Sequence, residues 1–136
     1  GNRHPLGPAV LVSHNIVKCM DPDLPASLAP EVHRVLRDEL GFDGVVMTDD
    51  LAMGAVSAYA ADGNAAVMSL QAGNDLVVTT DYRTQIPRVI AAVEEGELPE
   101  SVIDTACLRV LRWKLELGLL ERTEEGKLVS PVIPWG

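Results

Sequence analysis

The chain has 136 residues, 47% of them apolar, and a mean hydropathy of +0.14, which suits one packed core and leaves little room for disorder. Its 11 basic and 20 acidic side chains give a formal net charge of −9, a balance that repels phosphate backbones and anionic membrane surfaces, so nucleic acid is not an expected partner. No apolar run approaches the ~18 residues a membrane helix needs.

Cys19 and Cys107 lie far apart with no CxxC or Cys/His spacing, so neither a disulfide framework nor a zinc site is indicated and both read as partly buried thiols. No motif asks for a cofactor or a metal. No signal peptide is visible, and the start at Gly1-Asn2-Arg3 carries no initiator Met, which leaves the compartment open between cytoplasmic and exported. With a single Phe, the core must be built from Val, Leu, Ile and Ala.

Residues 1–8 are polar with Pro5, Gly7 and Pro8 and read as a lead-in loop. Ala9-Val10-Leu11-Val12 is a short apolar, β-branched run that stops at Ser13-His14-Asn15. A long loop follows from Ile16 to Ala29. Helix signals return at Ser27, with Pro30 and Glu31 in the first turn; Val32, Val35, Leu36 and Leu40 then form one stripe, and Gly41 is the stop. Val45-Val46-Met47 is the second apolar strand, and it ends abruptly on Thr48-Asp49-Asp50. A small-residue segment runs from Ala52 to Ala61, a second helix from Ala65 to Gln71 ends before Gly73, and Asp75-Leu76-Val77-Val78 is the third run, closing on Thr79-Thr80-Asp81. Ile86, Val89, Ile90 and Val93 mark the next helix, ended near Gly96. Pro99 opens the last, with Val102, Ile103, Ala106, Val110, Trp113 and Leu117 inward and Gly118 as its stop. Leu119 to Gly136 is a polar tail with an apolar patch from Val129 to Trp135.

The strands open near residues 9, 44 and 75, 35 and 31 residues apart, and each is followed by a helix, so the expected class is α/β with parallel strands and no hairpin signal. A (β/α)₈ barrel needs about 250 residues and eight such units. Three units cannot close one.

In α/β folds the carboxyl ends of parallel strands are where ligands bind, which singles out Asp49. A carboxylate there can act as a nucleophile, bind a metal or accept a substrate hydroxyl; equally, Asp49 or Asp50 can cap the next helix. A Mg²⁺-binding receiver domain also places acids after a strand, but it needs a further carboxylate after an earlier strand and a lysine after a later one, where this chain has Ser13-His14-Asn15 and Thr79-Thr80-Asp81. His14 shares the carboxyl edge with Asp49 and is a candidate substrate contact, against the commoner case of a rim histidine satisfied by backbone. Met53 is a candidate apolar floor for a ligand, against a role in filling the core. Asp81 lies at the same edge by the same logic. His4 and His33 read as surface residues.

The run Leu40-Gly41-Phe42-Asp43-Gly44-Val45-Val46-Met47-Thr48-Asp49-Asp50-Leu51 with Ala52-Met53 closely resembles the nucleophile segment of family 3 glycoside hydrolases, especially bacterial β-N-acetylglucosaminidases. Ala72-Gly73-Asn74-Asp75-Leu76 resembles the family's following strand and Ala9 to His14 its preceding Val-Met-x-x-His strand. Gly96-Glu97-Leu98, Arg109-Val110-Leu111 to Lys114 and Leu117-Gly118-Leu119 resemble its closing helix. The resemblance implies the last three βα units of a TIM-like barrel over residues 1–120, a C-terminal tail over 121–136, and Asp49 as the nucleophile of a double displacement with Asp50 only its neighbour. It further implies a carbohydrate substrate bearing terminal β-linked N-acetylglucosamine, with β-glucosidase or β-xylosidase activity, or a non-catalytic βα assembly module, as alternatives. The family's Lys-His and Asp-His motifs lie upstream of the matched strand and are not reproduced in residues 1–8. The chain by itself is therefore expected to be inactive or nearly so, and to self-associate through its open barrel edge.

Overall fold

The computed structural model describes residues 9–61 and 63–131. Strand β1, Val10–Val12, pairs in parallel with β2, Val46–Thr48, in the register Val10 to Val46, Leu11 to Met47 and Val12 to Thr48. That register puts Ser13 and His14 at the same carboxyl edge as Asp49 and Asp50. The third apolar run lies along the far side of β2, joined by a parallel bridge between Met47 and Leu76. It is less regular than expected because side chains replace two of its bonds. The Val46 N–H goes to the Asp75 carboxylate at 3.0 Å, and the Val78 N–H to the Thr48 hydroxyl at 3.1 Å.

The helix expected from Ser27 to Leu40 is broken in two. A 3₁₀ turn, Ala26–Leu28, ends at Ala29, which is extended (φ −94°, ψ 112°) as a residue before proline must be. Helix α1, Pro30–Arg34, then starts with its proline where a missing N–H costs nothing, and widens into a π turn over Val35–Glu39. The widening turns Leu40 outward, so the predicted stripe loses its last member, while Val32 and Leu36 pack against Val12, Ala26 and Val46. His33, expected on the surface, is 2% exposed, with Nδ1–H donating to the Ala29 carbonyl at 2.9 Å. Both cysteines are exposed rather than partly buried.

Helix α2, Gly54–Ser57, is the one regular piece of the small-residue segment. Helix α3, Ala65–Ala72, is buried nearly all round and ends at Gly73, whose φ of +119° only glycine adopts freely. Helix α4, Tyr82–Glu94, buries Ala92 and packs Val89 and Val93 against Val67, Leu70 and Leu98, whereas Ile86 and Ile90 face outward. Helix α5, Glu100–Glu116, has Pro99 just ahead of its first turn and places Val102 and Ile103 on the same cluster; Leu117 is exposed rather than inward. The tail contains an unexpected antiparallel hairpin, β3 Glu121–Arg122 and β4 Leu128–Val129, turned at Gly126 (φ +81°). His4 and most of the Val129 to Trp135 patch lie outside the described residues. Among the described residues no helix is long and apolar enough to cross a membrane.

Asp75 holds the opposite end of β2. Its side chain is 1% exposed and takes Arg37 at 2.5 Å and Arg109 at 2.9 Å as well as the Val46 amide. Arg37 also donates to the Phe42 and Gly44 carbonyls and lies over the Phe42 ring, 5.6 Å from its centroid. One carboxylate thus ties the π turn, β2 and α5 together, with every oxygen bonded, which is the condition for burying a charge.

Candidate active site at the carboxyl edge of the strands

Asp49 is the first residue past β2, half-buried, and held from both sides. Its own N–H donates to the Val12 carbonyl at 3.3 Å, and the Leu51 N–H donates to the Val78 carbonyl at 2.9 Å. Thr48, fully buried, points its hydroxyl the other way, to Val78. The backbone around Asp49 is therefore fixed by β1 on one flank and by the 76–78 segment on the other. The carboxylate takes the Asp50 N–H on Oδ1 at 2.8 Å; among the described residues nothing bonds Oδ2, and no cation pairs with it.

Asp50 has a different task. Its Oδ1 accepts the Ala52 N–H at 2.9 Å and the Thr80 N–H at 3.1 Å, joining the loop after β2 to the loop after the third run. Those two amides, Ala52 first, hold the Asp50 carboxyl below the usual aspartate range, because only the ionised form accepts both well. Two adjacent acids thus differ in their bonds: Asp50 braces two loops, whereas Asp49 takes only the amide of its neighbour.

His14 bridges the remaining gap. Its Nε2 donates to the Asp50 carbonyl at 2.8 Å, since a carbonyl can only accept; in the neutral ring Nδ1 is then the acceptor for the Ser27 hydroxyl at 2.7 Å. Ser27 is brought there by backbone bonds from Ala26 to Asn15 and from Ser27 to Ser13. Both ring nitrogens have protein partners. Met53, just past the acidic turn, is exposed at the start of α2, with its N–H on the Asp50 carbonyl at 3.2 Å. Asp81 sits ahead of α4, exposed, its carbonyl accepting from Thr84 and Gln85. Among the described residues no group of three or more His, Cys, Asp or Glu side chains is gathered to hold a metal ion.

Sequence reasoning found Asp49, His14 and Met53 on one edge but missed Ser27, Thr80 and Asp75. The signal for Asp75 was present: an acid heading an apolar run must be paired if the run is buried, and arginines stand in the helices before and after it. Nothing in the pattern marks Ser27, whose partner is set by tertiary geometry.

Residues 7–113 match the glycosyl hydrolase family 3 N-terminal domain. The chain is 35% identical over 114 residues to the β-hexosaminidase LpqI of Mycobacterium tuberculosis, covering 77% of this chain and 29% of that protein. It is 31% identical over 104 residues to the β-hexosaminidase of Alkalilimnicola ehrlichii, covering 76% and 29%. Among solved structures, the family 3 β-N-acetylglucosaminidase from Paenibacillus sp. FPU-7 superposes with a TM-score of 0.73 at 38% identity, over 79% of this chain and 22% of that one. The chain thus spans under a third of the length of these relatives. With residues 7–113, more than two thirds of its length, matched, the chain belongs to glycosyl hydrolase family 3, within the family's N-terminal domain.

Proposed function

We propose that the protein containing this chain is a retaining glycoside hydrolase that removes terminal β-linked N-acetylglucosamine from cell-wall or chitin-type fragments, with Asp49 as nucleophile. The reading has this chain as the last three βα units of a (β/α)₈ barrel. One observation carries it. Asp49 is a half-buried carboxylate at the carboxyl end of a rigid parallel strand, with one oxygen fixed and the other bare. The names of the β-hexosaminidase relatives support the sugar.

In the first displacement the bare oxygen attacks the anomeric carbon while the glycosidic C–O bond breaks and the leaving oxygen takes a proton. Water then attacks the same carbon and gives a proton to the conjugate base of the acid that protonated the leaving oxygen, the ester bond breaks, and the Asp49 carboxylate is restored with net retention. Holding the attacking oxygen on a strand end supplies much of the acceleration as effective molarity. The proton donor is not drawn from the edge described above. Asp50 is held ionised, and His14 has both nitrogens engaged. In this reading the acid comes from outside the edge described above, and an edge without it is slower by the ~10²–10⁴-fold that acid assistance contributes. Met53 offers the sugar an apolar contact beside the nucleophile.

The test is turnover of a chromogenic β-N-acetylglucosaminide by the full-length protein. Asp49→Asn is expected to lower kcat by at least ~10³-fold. Unchanged turnover removes Asp49 from the mechanism, and a faster glucoside or xyloside replaces the sugar assignment.

A further inference from the structure

We infer that His14 is a positioning residue for Asp49, clamping the Asp50–Leu51 peptide, the next one along from the nucleophile, from the β1 side through Ser27. The inference deepens the nucleophile reading and rests on it for its catalytic consequence, but the clamp itself is a statement about hydrogen bonds.

The Asp50 carbonyl, which belongs to the residue immediately after the nucleophile, receives His14 Nε2 at 2.8 Å and the Met53 amide at 3.2 Å. The Asp50 N–H is the sole protein donor to Asp49 among the described residues, on Oδ1 at 2.8 Å. Whatever rotates the Asp50 residue therefore swings the donor that orients the Asp49 carboxylate. Two side chains oppose that rotation from opposite flanks: His14 from β1, and the Asp50 carboxylate through Thr80 from the loop past the third run. The imidazole is itself locked, because the Ser27 hydroxyl holds Nδ1 at 2.7 Å and selects the tautomer with hydrogen on Nε2. Ser27 is fully buried and bonded through its backbone to Ser13, so the anchor does not drift. The chain of restraint runs from the core through Ser27 and His14 to the Asp50 peptide and thence to the attacking group.

A ligand role and a positioning role for His14 separate in kinetics. Removing a sugar contact raises KM with kcat little changed; loosening the nucleophile lowers kcat, since a displacement near 1 Å can cost roughly 10²-fold. In the full-length protein, His14→Ala is expected to lower kcat by about 10–100-fold with KM within about threefold, and His14→Gln, whose amide N–H can reach the same carbonyl, to restore kcat to within about fivefold. A raised KM at unchanged kcat, or no change in either, overturns the inference. A second arm needs no activity. In the 136-residue chain, His14→Ala is expected to speed amide exchange of Asp49 and Leu51 by at least ~10-fold while α5 amides stay as they were. Unchanged Asp49 and Leu51 exchange, or equal acceleration everywhere, refutes a local clamp. Should Asp49→Asn keep full turnover, the nucleophile reading fails and the exchange arm still decides the clamp. Should Asp49→Asn be inactive while His14→Ala shifts KM alone, the clamp fails and the nucleophile stands.

Discussion

Replacing Asp75 by alanine removes one carboxylate from three donors at once, the guanidiniums of Arg37 and Arg109 and the buried amide of Val46. Hydrogen bonds to a charged group contribute about 1.5–3 kcal/mol each, which sets an upper bound that relaxation reduces. The two guanidinium side chains are 15% and 29% exposed and can regain water, whereas the Val46 amide cannot. The expected loss is therefore about 3–4 kcal/mol, at the lower end of what breaking a buried ion pair from one side costs. For a chain of this length that corresponds to a fall in Tm of about 10–15 °C. Urea denaturation is the assay, with the midpoint falling and the slope unchanged. Asp75→Asn keeps an acceptor for the Val46 amide and is expected to recover about 1–2 kcal/mol, while Arg109→Ala, at the rim, costs only about 1 kcal/mol. A loss below ~1 kcal/mol for Asp75→Ala, or no gain for asparagine over alanine, would refute the idea that this carboxylate sets the register of β2.

Asp50 is expected to titrate below the ordinary aspartate value of about 3.9, read from its side-chain carboxyl ¹³C shift. Because its folded pKa is depressed, its stabilising bonds are fully present above that value and are lost as the pH falls through the lower, folded pKa; Asp50→Asn should abolish that acid limb. Gly73→Ala forces a side chain into φ +119° with its Cβ 3.1 Å from that of His33, and is expected to cost roughly 2–3 kcal/mol in urea, against about 1 kcal/mol for Gly41→Ala (φ +67°), which meets nothing within 4 Å. The two costing the same would show that the contact with His33 is immaterial. Leu11, 58% exposed on the outer strand β1, should mediate self-association of the 136-residue chain; light scattering is expected to report species larger than monomer, and Leu11→Lys to return monomer. Monomer in both refutes it.

The parallel α/β layout was legible because three β-branched runs each stop in polar residues and each precede a helical stripe. Asp49 was legible for the same reason: an acid directly after a buried strand has one place to go. What the pattern could not show is set by contacts distant in sequence. His33 lies on a short helix whose turns gave no hint that α3 and Gly73 would cover it. The break at Ala29 follows from Pro30 and was within reach of local rules, whereas the π turn over Val35–Glu39 has no local signature and rotates Leu40 away from the stripe. His14 was placed at the right edge, but the direction of its nitrogens depends on Ser27, 13 residues on, and on the Asp50 carbonyl, 36 residues on. The tail hairpin was missed because its strands are two residues each and exposed, with no apolar alternation to read.

The central step of the proposed reaction is a covalent bond between the Asp49 carboxylate and a sugar. Rapid acid quenching of the full-length protein during turnover of an activated β-N-acetylglucosaminide, followed by peptide mass spectrometry, reads it directly. An N-acetylhexosamine adduct on the peptide carrying Asp49, absent in Asp49→Asn, is the predicted result. An adduct on another carboxylate, or turnover with inversion of the anomeric centre, would contradict it.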